Sequence, residues 1–135
     1  MSGTGGDPPE ATFRKTLSET DLILFAGLSG DLHPVHVDES SDAARSAGGR
    51  TIHAVFLIGL MSTAVSQLMQ RRGLSTRLAG LRALRFHAVA RPGDTVAAAA
   101  RLTGPARDGV LAVAISATSD AGVLLADGIA EMELS

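Results

Sequence analysis

The spacing of apolar positions changes near the middle of the chain and divides it into a helix-forming first half and a strand-forming second half. Between Ile52 and Gln70, apolar side chains recur at helical spacing around nearly the whole circumference of the predicted helix. A helix that is apolar on most sides is expected to be buried on most sides. Arg71 and Gly73 mark its predicted C-terminal end, because cations suit the negative end of the helix dipole and glycine often ends helices.

A strand and a shorter helix are predicted near the N-terminus. Residues 11–17 favour a strand. Ser18 is typical of a helix N-cap, and Glu19 and Asp21 place negative charge in the first turn, where the dipole favours it. An apolar stripe follows, and Gly30 is the predicted stop of this helix.

The segment between the two helices is predicted to be mostly irregular. Pro34 disfavours helical backbone at His33, so residues 31–38 are expected to form an extended, ordered loop. Residues 39–47 are compatible with a short helix that ends at Gly48. This segment therefore leads the chain from the first helix to the long one.

Four strands are predicted in the second half, at residues 78–90, 95–103, 110–118 and 123–134. Alternation is clearest in the third strand, where Leu111, Val113 and Ile115 share one face. A run of alanines weakens the prediction of the second strand, since alanine also favours helix. In the last strand the apolar face is expected to carry Leu124, Ala126, Gly128, Ala130, Met132 and Leu134.

Together these elements predict an α+β domain in which a curved antiparallel sheet wraps around the long helix. Short turns rich in glycine, proline and aspartate separate the last four strands, which is typical of an antiparallel meander. Residues 11–135 are predicted to form this single domain. Residues 1–10 are rich in glycine and proline, and we expect them to be a disordered tail.

Length, charge and composition narrow the class of protein. A chain of 135 residues suits one domain, since domains typically hold about 100–200 residues. The net charge of −2 and the lack of tryptophan and tyrosine argue against a nucleic-acid binder, which needs basic surface and aromatic stacking faces. The lack of cysteine excludes disulfides, thiolate zinc sites and a cysteine nucleophile.

The sequence also predicts no membrane partner. No apolar run reaches the roughly 18 residues of a membrane span. The N-terminus lacks the charged-then-apolar layout of a signal peptide. We therefore expect a soluble, cytoplasmic protein.

Titratable side chains are concentrated in the loop D-L-H-P-V-H-V-D, residues 31–38. An aspartate and a histidine five residues apart in a kinked loop, Asp31 and His36, can converge on one water and move a proton near neutral pH. In the alternative interpretation, Asp31 caps a turn and the histidines are solvated. A metal site is a third interpretation, but the sequence offers no clear third and fourth ligand, so no metal is predicted.

A second candidate group lies where the long helix begins, at Ile52, His53 and Ala54. The first backbone N–H groups of a helix lack partners and carry the positive end of the dipole, so they can stabilise an enolate-like oxygen. Alternatively, His53 merely ends the loop. Ser62 lies within the apolar helix, where its hydroxyl either bonds the carbonyl one turn back or supports the catalytic loop.

The segment F-A-G-L-S-G-D-L-H-P-V-H-V-D (residues 25–38), followed by I-H-A-V (residues 52–55), resembles the hydratase signature of the MaoC-like, (R)-specific enoyl-CoA hydratases. In that family the first segment runs approximately F-A-x-L-S-G-D-x-N-P-x-H-x-D, and the second I-x-H-G-M. A weaker likeness joins Arg85-Phe86 and R-P-G-D-T-V (residues 91–96) to a downstream strand and turn. The resemblance spans the chain from about Phe13 to its end.

The resemblance implies a hot dog fold, in which a long helix is wrapped by a curved antiparallel sheet. It implies a homodimer whose sheets join edge to edge, with a thioester tunnel near the interface. It also assigns roles: Asp31 and His36 form the catalytic dyad, the N–H of Ala54 is the oxyanion donor, and Ser62 supports the site.

Three residues of the two signature segments depart from the family pattern, and further along Val89-Ala90 replaces the usual Pro-Val and His87 is atypical. His33 replaces the usual asparagine, Ala54 replaces glycine, and Val55 replaces methionine. Alanine retains the backbone N–H, so the oxyanion role survives, while its methyl narrows the pocket. These changes concern the choice of substrate more than the fold.

The implied reaction is reversible hydration of trans-2-enoyl thioesters, carried by coenzyme A or acyl carrier protein, to (R)-3-hydroxyacyl thioesters, with no metal or redox cofactor. One alternative is a hot dog acyl-thioesterase, which commonly uses a carboxylate on the central helix; residues 56–70 contain none. Others are a non-catalytic subunit of a heterodimeric dehydratase, which would be expected to lack the dyad, and a plain ligand-binding module.

Four further residues are candidate substrate contacts. His53 lies beside the predicted oxyanion donor, and Arg82, Arg85 and Arg91 lie where the resemblance places the tunnel mouth. The arginine guanidinium suits phosphate, which coenzyme A carries. The alternative is that the arginines form a solvated face of a strand.

Overall fold

In the computed structural model, which describes residues 9–135, a five-stranded antiparallel sheet packs against one long helix and is joined by three shorter helices. The strands are β1 (Glu10–Thr16), β2 (Thr76–Phe86), β3 (Thr95–Leu102), β4 (Val110–Ser119) and β5 (Leu124–Leu134). The helices are α1 (Glu19–Ser29), α2 (Pro34–Val37), α3 (Asp42–Ser46) and α4 (Ala54–Arg71). Of the predicted disordered tail, residues 1–8 lie outside the described residues. Glu10, which was predicted to belong to the tail, is the first residue of β1.

The strands are ordered β1-β3-β4-β5-β2 across the sheet, and every neighbouring pair is antiparallel. The edges of this sheet are therefore β1 and β2. The long helix α4 packs against β1, β3 and β4. One long helix lying on an antiparallel sheet is the predicted α+β hot dog arrangement, which is confirmed.

Small side chains form much of the sheet surface beneath α4. In β3, Ala98 and Ala100 are completely buried, while the alternate residues Ala97 and Ala99 are half-buried. The alanine run therefore forms a strand, because its period-two burial matches β4, to which it pairs along its length. Short side chains at these positions leave room for the larger ones of α4.

The apolar face of α4 supplies the centre of the core, with Leu57, Leu60, Met61, Ala64, Val65, Leu68 and Met69 buried. A second stripe of the same helix, which includes Val55, Gly59, Ser62 and Ser66, is exposed. The prediction that α4 is buried on most sides is therefore wrong for a single chain. The sheet covers one side of the helix and leaves this stripe open.

The last strand also differs from its prediction. Leu125 is buried and Leu124 is exposed, although alternation placed Leu124 on the apolar face. The pairing register of β4 and β5 shifts between Ala117 and Thr118, and this irregularity reverses the faces at the start of β5. Further along, a Cβ on Gly128 would lie 2.9 Å from the Cα of Leu84, so the close approach of β2 requires glycine.

The segment 31–38 is more helical than expected. His33 has extended backbone, as a residue before proline should, but Pro34 then begins the short helix α2. Proline is favoured at the first helical position because its missing N–H would have no partner there. The helix predicted at 39–47 is present as the shorter α3.

No helix in the part of the chain that the structure describes combines the length and the apolar character needed to cross a membrane.

The predicted start and end of α1 are confirmed. The hydroxyl of Ser18 accepts a hydrogen bond from the N–H of Asp21, and the Asp21 carboxylate accepts one from the N–H of Ser18. Gly30 ends the helix in the left-handed conformation, at φ 79°. Burial acts to raise the pKa of Asp21, but the hydrogen bonds with Ser18 and the nearby Lys15 outweigh it and hold this pKa below its usual value.

Replacing Asp21 with asparagine is expected to lower the free energy of unfolding by about 0.5–1 kcal/mol at pH 7, the usual size of a helix-end charge effect. Because the pKa of Asp21 is lowered in the folded protein, its stabilisation is complete above the unfolded pKa and is lost as pH falls through the folded value. The difference between the two proteins should therefore shrink as the pH falls below the unfolded pKa and disappear below the folded one. Urea denaturation across this pH range measures it.

The matched control is Glu39→Gln, because this carboxylate is exposed and lies outside the helices. It should change stability little at any pH in the series. A deficit of Asp21→Asn that stays constant down to about pH 2 would show that the charge of Asp21 is not what stabilises α1.

Candidate active site

The short helix α2 fixes the position of His36. Nδ1 of His33 accepts a hydrogen bond from the N–H of Val35 at 3.1 Å and thereby caps α2. The N–H of His33 donates to the carboxylate of Asp31 at 3.2 Å. The chain between Asp31 and His36 is therefore tied together by its own side chains, and the sequence spacing predicted this closeness.

The tautomer of His36 follows from one contact. Its Nδ1 lies 2.6 Å from the carbonyl oxygen of Thr51. A carbonyl oxygen can only accept, so Nδ1 carries the proton in the neutral ring and Nε2 presents a lone pair. This Nε2 lies 3.9 Å from Oδ2 of Asp31, which is too long for a direct hydrogen bond. The His36 side chain is 14% exposed and that of Asp31 is 53% exposed, so the pair can be reached from solvent.

His53 lies next to this pair and is almost completely buried, with 2% of its surface exposed. Its ring stacks on that of His36, with centroids 3.8 Å apart and planes inclined by 21°. Phe25 contacts it at a centroid distance of 4.9 Å. Nε2 of His53 donates to the carbonyl oxygen of Asp31 at 3.0 Å, so all three predicted residues of this region meet.

Asp31, His36 and His53 could each offer one ligand atom to a metal ion, and these atoms lie within 4.8 Å of one another. The stacked rings argue against such a site, because their lone pairs lie in nearly parallel planes, whereas metal ligation needs lone pairs that converge on one point. Two of the ring nitrogens also bond backbone carbonyls. The arrangement suits proton transfer better than metal binding.

The beginning of α4 lies directly after His53. Ala54 is the first residue of the helix, and the His53 side chain makes no capping hydrogen bond to the first turn. Ala54 is exposed and borders a cavity of about 200 Å³ between α4 and residues 86–90. The positive end of the helix dipole therefore faces space that a ligand can enter.

Ser62 lies two turns further along α4, on its exposed stripe. It borders a larger cavity of about 480 Å³ between α4 and β2, which is mostly lined by apolar side chains such as Ile58, Val65 and Leu81. The neighbouring Thr63 bonds the carbonyl of Gly59 one turn back. The role predicted for Ser62 in supporting the dyad stays a prediction.

Arg91 holds the loop that leads to His53. Its guanidinium donates to the carbonyl oxygens of Ala47 and Gly49, the latter at 2.8 Å. The backbone N–H of Arg91 donates to the carboxylate of Asp94 at 2.9 Å and so closes the turn that contains both residues. The structure thus gives this arginine a structural role, while its predicted contact with substrate stays a prediction.

Arg82 and Arg85 occupy a different place, on the exposed edge strand β2. They flank an irregularity in the pairing of β2 with β5, where Ala83 has a positive φ of 53°. Arg82 makes a long contact of 3.4 Å with Glu131. Substrate binding by these two arginines stays a prediction as well.

Sequence reasoning missed the contribution of Thr51 and Phe25. Thr51 acts through its backbone carbonyl, which every residue has, so no pattern in the sequence marks it. Phe25 lies on α1, and only the fold shows that it packs on His53 and Phe56.

Comparison with known proteins links this site to one family. A family model described as "MaoC like domain" matches residues 2–121. The chain is 38% identical over 100 residues to an (R)-specific enoyl-CoA hydratase of Rhodospirillum rubrum, an alignment that covers 70% of this chain and 63% of the relative. It is 34% identical over 89 residues to a 3-hydroxybutyryl-CoA dehydratase of Methylorubrum extorquens, covering 62% and 51% of the two chains.

Both curated relatives are thus matched over less than two thirds of their own length. Among solved structures, the unliganded R-hydratase of Pseudomonas aeruginosa superposes with a TM-score of 0.83 at 27% sequence identity. That superposition covers 96% of this chain and 82% of the other. The likeness therefore includes both the helical segment that carries the histidines and the sheet.

Replacing Arg91 with alanine is expected to lower the free energy of unfolding by about 2–3 kcal/mol, because several carbonyl groups would lose a charged donor. Arg85→Ala, the matched control on the exposed strand β2, should change stability by less than about 0.5 kcal/mol. Urea denaturation of the three proteins measures both effects. Equal stability of the two variants would show that the guanidinium of Arg91 does not hold the loop.

Proposed function

The chain belongs to the MaoC-like domain family, and from this premise we propose that it adds water reversibly to trans-2-enoyl thioesters, giving (R)-3-hydroxyacyl thioesters. The observation that carries the proposal is the pairing of Asp31 with a His36 ring whose Nε2 lone pair is free to accept a proton. Two similar proteins carry the names (R)-specific enoyl-CoA hydratase and 3-hydroxybutyryl-CoA dehydratase, the two directions of such a reaction.

The dyad supplies the acid–base chemistry in this proposal. One water oxygen within hydrogen-bond distance of both Nε2 of His36 and Oδ2 of Asp31 would bridge their 3.9 Å separation. The neutral imidazole and the carboxylate are both acceptors, so either can take a proton as the water oxygen attacks the β-carbon. The hydroxyl then joins the β-carbon, a proton is delivered to the α-carbon, and the dyad returns to its starting state.

The start of α4 supplies the electrostatic part. Attack at the β-carbon moves negative charge onto the thioester carbonyl oxygen. The N–H of Ala54, at the positive end of an 18-residue helix, would donate to that oxygen. Ala54 is the first residue of this helix, so its N–H has no acceptor within the helix, which supports the role.

The larger cavity is the proposed place for the acyl chain. It runs beside the exposed stripe of α4 that begins near Ala54 and includes Ser62. Its lining is largely apolar, which favours a hydrocarbon chain over a polar substrate. Arg82 and Arg85, on the strand that borders this cavity, are the proposed contacts for the phosphates of coenzyme A or for an acidic carrier protein.

The competing functions have less support. A thioesterase of this fold commonly attacks the carbonyl carbon with a carboxylate from the long helix, and α4 contains neither aspartate nor glutamate. A subunit that only supports another catalytic chain does not require a paired Asp31 and His36. A ligand-binding module has no need of a histidine tautomer fixed by Thr51.

Asp31→Asn and His36→Ala are each expected to lower turnover at least about 100-fold with the fold intact, because general acid–base groups contribute about 10²–10⁴. The assay follows the loss of the conjugated double bond with crotonyl-, octenoyl- and longer enoyl-CoA substrates. His33→Asn is the matched control in the same loop and should retain substantial activity, because asparagine can cap α2 in place of the imidazole.

Near-normal hydration by either folded dyad variant would remove that residue from the proposed mechanism. A loss in His33→Asn as large as that in His36→Ala would show that the wrong histidine was chosen. Hydrolysis of the thioester by the unmodified protein, without hydration, would favour the thioesterase.

We also propose that the protein works as a homodimer. The edge strand β2 presents unpaired backbone groups together with the partly exposed Leu78, Leu81 and Phe86. The exposed stripe of α4 lies across the larger cavity from this strand. A second copy related by two-fold symmetry would pair the two β2 edges and cover apolar surface on both chains.

Sedimentation equilibrium at micromolar concentration is expected to give twice the chain mass of 13.8 kDa. Leu78→Glu should shift the protein toward the monomer, because it places charge on the proposed interface. Thr12→Glu, on the opposite edge strand β1, is the control and should leave the mass unchanged. A wild-type protein of 13.8 kDa only, or dissociation by the control alone, would rule out this interface.

A further inference from the structure

His53 is the most deeply buried titratable side chain at the site, and the proposed mechanism gives its ring no proton to move. The backbone of the same residue forms the N-cap of α4, immediately before Ala54. Its ring donates from Nε2 to the carbonyl of Asp31, 22 residues earlier in the chain. The backbone of His53 thus adjoins the proposed oxyanion donor Ala54, and its ring holds the backbone of Asp31.

We propose that His53 is a positioning residue that sets the distance between the Asp31–His36 dyad and the N–H of Ala54. This inference rests on the proposed hydration reaction. The β-carbon and the carbonyl oxygen of an enoyl thioester are separated by a fixed, planar set of atoms. The water can attack while the N–H stabilises the developing charge only if the distance from the water to the N–H matches the distance from the β-carbon to the carbonyl oxygen. Small displacements of such groups lower the reaction rate strongly.

Three contacts of the His53 ring support this role. Stacking on His36 at 3.8 Å limits the tilt of the ring that accepts the proton. The hydrogen bond to Asp31 fixes the backbone from which the carboxylate projects. Phe25, on α1, adds an apolar contact that leaves the ring little freedom to rotate.

The same contacts select one form of the His53 ring. A bond from Nε2 to a carbonyl requires hydrogen on Nε2, so Nδ1 has the lone pair in the neutral ring. Nδ1 is buried and has no hydrogen-bond partner among the described residues. The titratable groups near the ring are Asp31, His36 and, beyond His36, His33.

Two substitutions separate the parts of this role. His53→Gln keeps an N–H donor at about the same reach and removes the ring. His53→Phe keeps a ring between Phe25 and His36 and removes the donor. We expect His53→Phe to lower kcat at least about 10-fold, with KM within about 3-fold of wild type, because misplacement affects the transition state more than substrate binding.

His53→Gln should recover a substantial part of kcat relative to His53→Phe, and this rescue distinguishes positioning by the hydrogen bond from simple filling of space. Thermal unfolding of both variants shows that the comparison is made between folded proteins. A folded His53→Phe with wild-type kcat would overturn the proposal. A higher kcat in His53→Phe than in His53→Gln would overturn positioning of Asp31 through the hydrogen bond, since the ring would then contribute more than the donor.

A second measurement does not depend on activity. Nitrogen-15 chemical shifts of the histidine rings in the unliganded wild-type protein are expected to show His53 in the Nε2–H form at pH 7 and His36 in the Nδ1–H form. His53 in the Nδ1–H form would overturn the proposal even if both variants failed to fold. If the wild-type protein hydrates no enoyl thioester, the proposed function fails, while these shifts still decide whether His53 holds Asp31.

Discussion

The hydrogen bond from Nδ1 of His36 to the carbonyl of Thr51 is the contact on which the geometry of the candidate site depends. It directs the basic lone pair of the ring toward Asp31, and it joins α2 to the segment that precedes α4. The carbonyl must therefore be held in place by other parts of the fold. The N–H of Ile52 donates to the carbonyl of Ala90 at 2.8 Å, and Arg91 binds carbonyls of the same loop. The orientation of the His36 ring thus depends on Ala90 and Arg91, which lie more than 50 positions further along the chain.

The second constraint is the close packing of α4 on a sheet of small side chains. Completely buried alanines in β3 and β4 allow the large side chains of the helix to fill the core, and the core needs only one side of the helix. The opposite stripe then remains available, and it borders the larger cavity. A helix whose sequence predicts burial on every side therefore fills the core with one face and leaves the other face open, where the proposed acyl chain and second copy would lie.

The features that could be predicted from the sequence are those decided by nearby residues. The capping box at Ser18, the end of α1 at Gly30 and the alternation of β4 each depend on contacts within a few positions or on period-two burial. The loop motif placed Asp31 and His36 together because their spacing is short. These are local interactions, and their residue types carry a recognisable preference.

The features that could not be predicted depend on distant partners. The reversed faces at the start of β5 arise from a register shift against β4, and the inward turn of Arg91 arises from carbonyl groups in another loop. In each case the sequence shows the residue but not the backbone group that it meets.

Burial increases steadily across the candidate site, and this gradient explains how neighbouring titratable groups can have different uses. The Asp31 side chain is largely in contact with solvent, that of His36 is mostly enclosed, and His53 is sealed beneath it. Nε2 of His36 lies on the side that solvent can reach, while Nε2 of the stacked His53 ring donates to the backbone carbonyl of Asp31. Exposure gives water and ligands access to Asp31 and His36, and burial gives His53 a fixed geometry. The proposed hydration needs both, and in that proposal the deepest residue contributes by holding its neighbours in place.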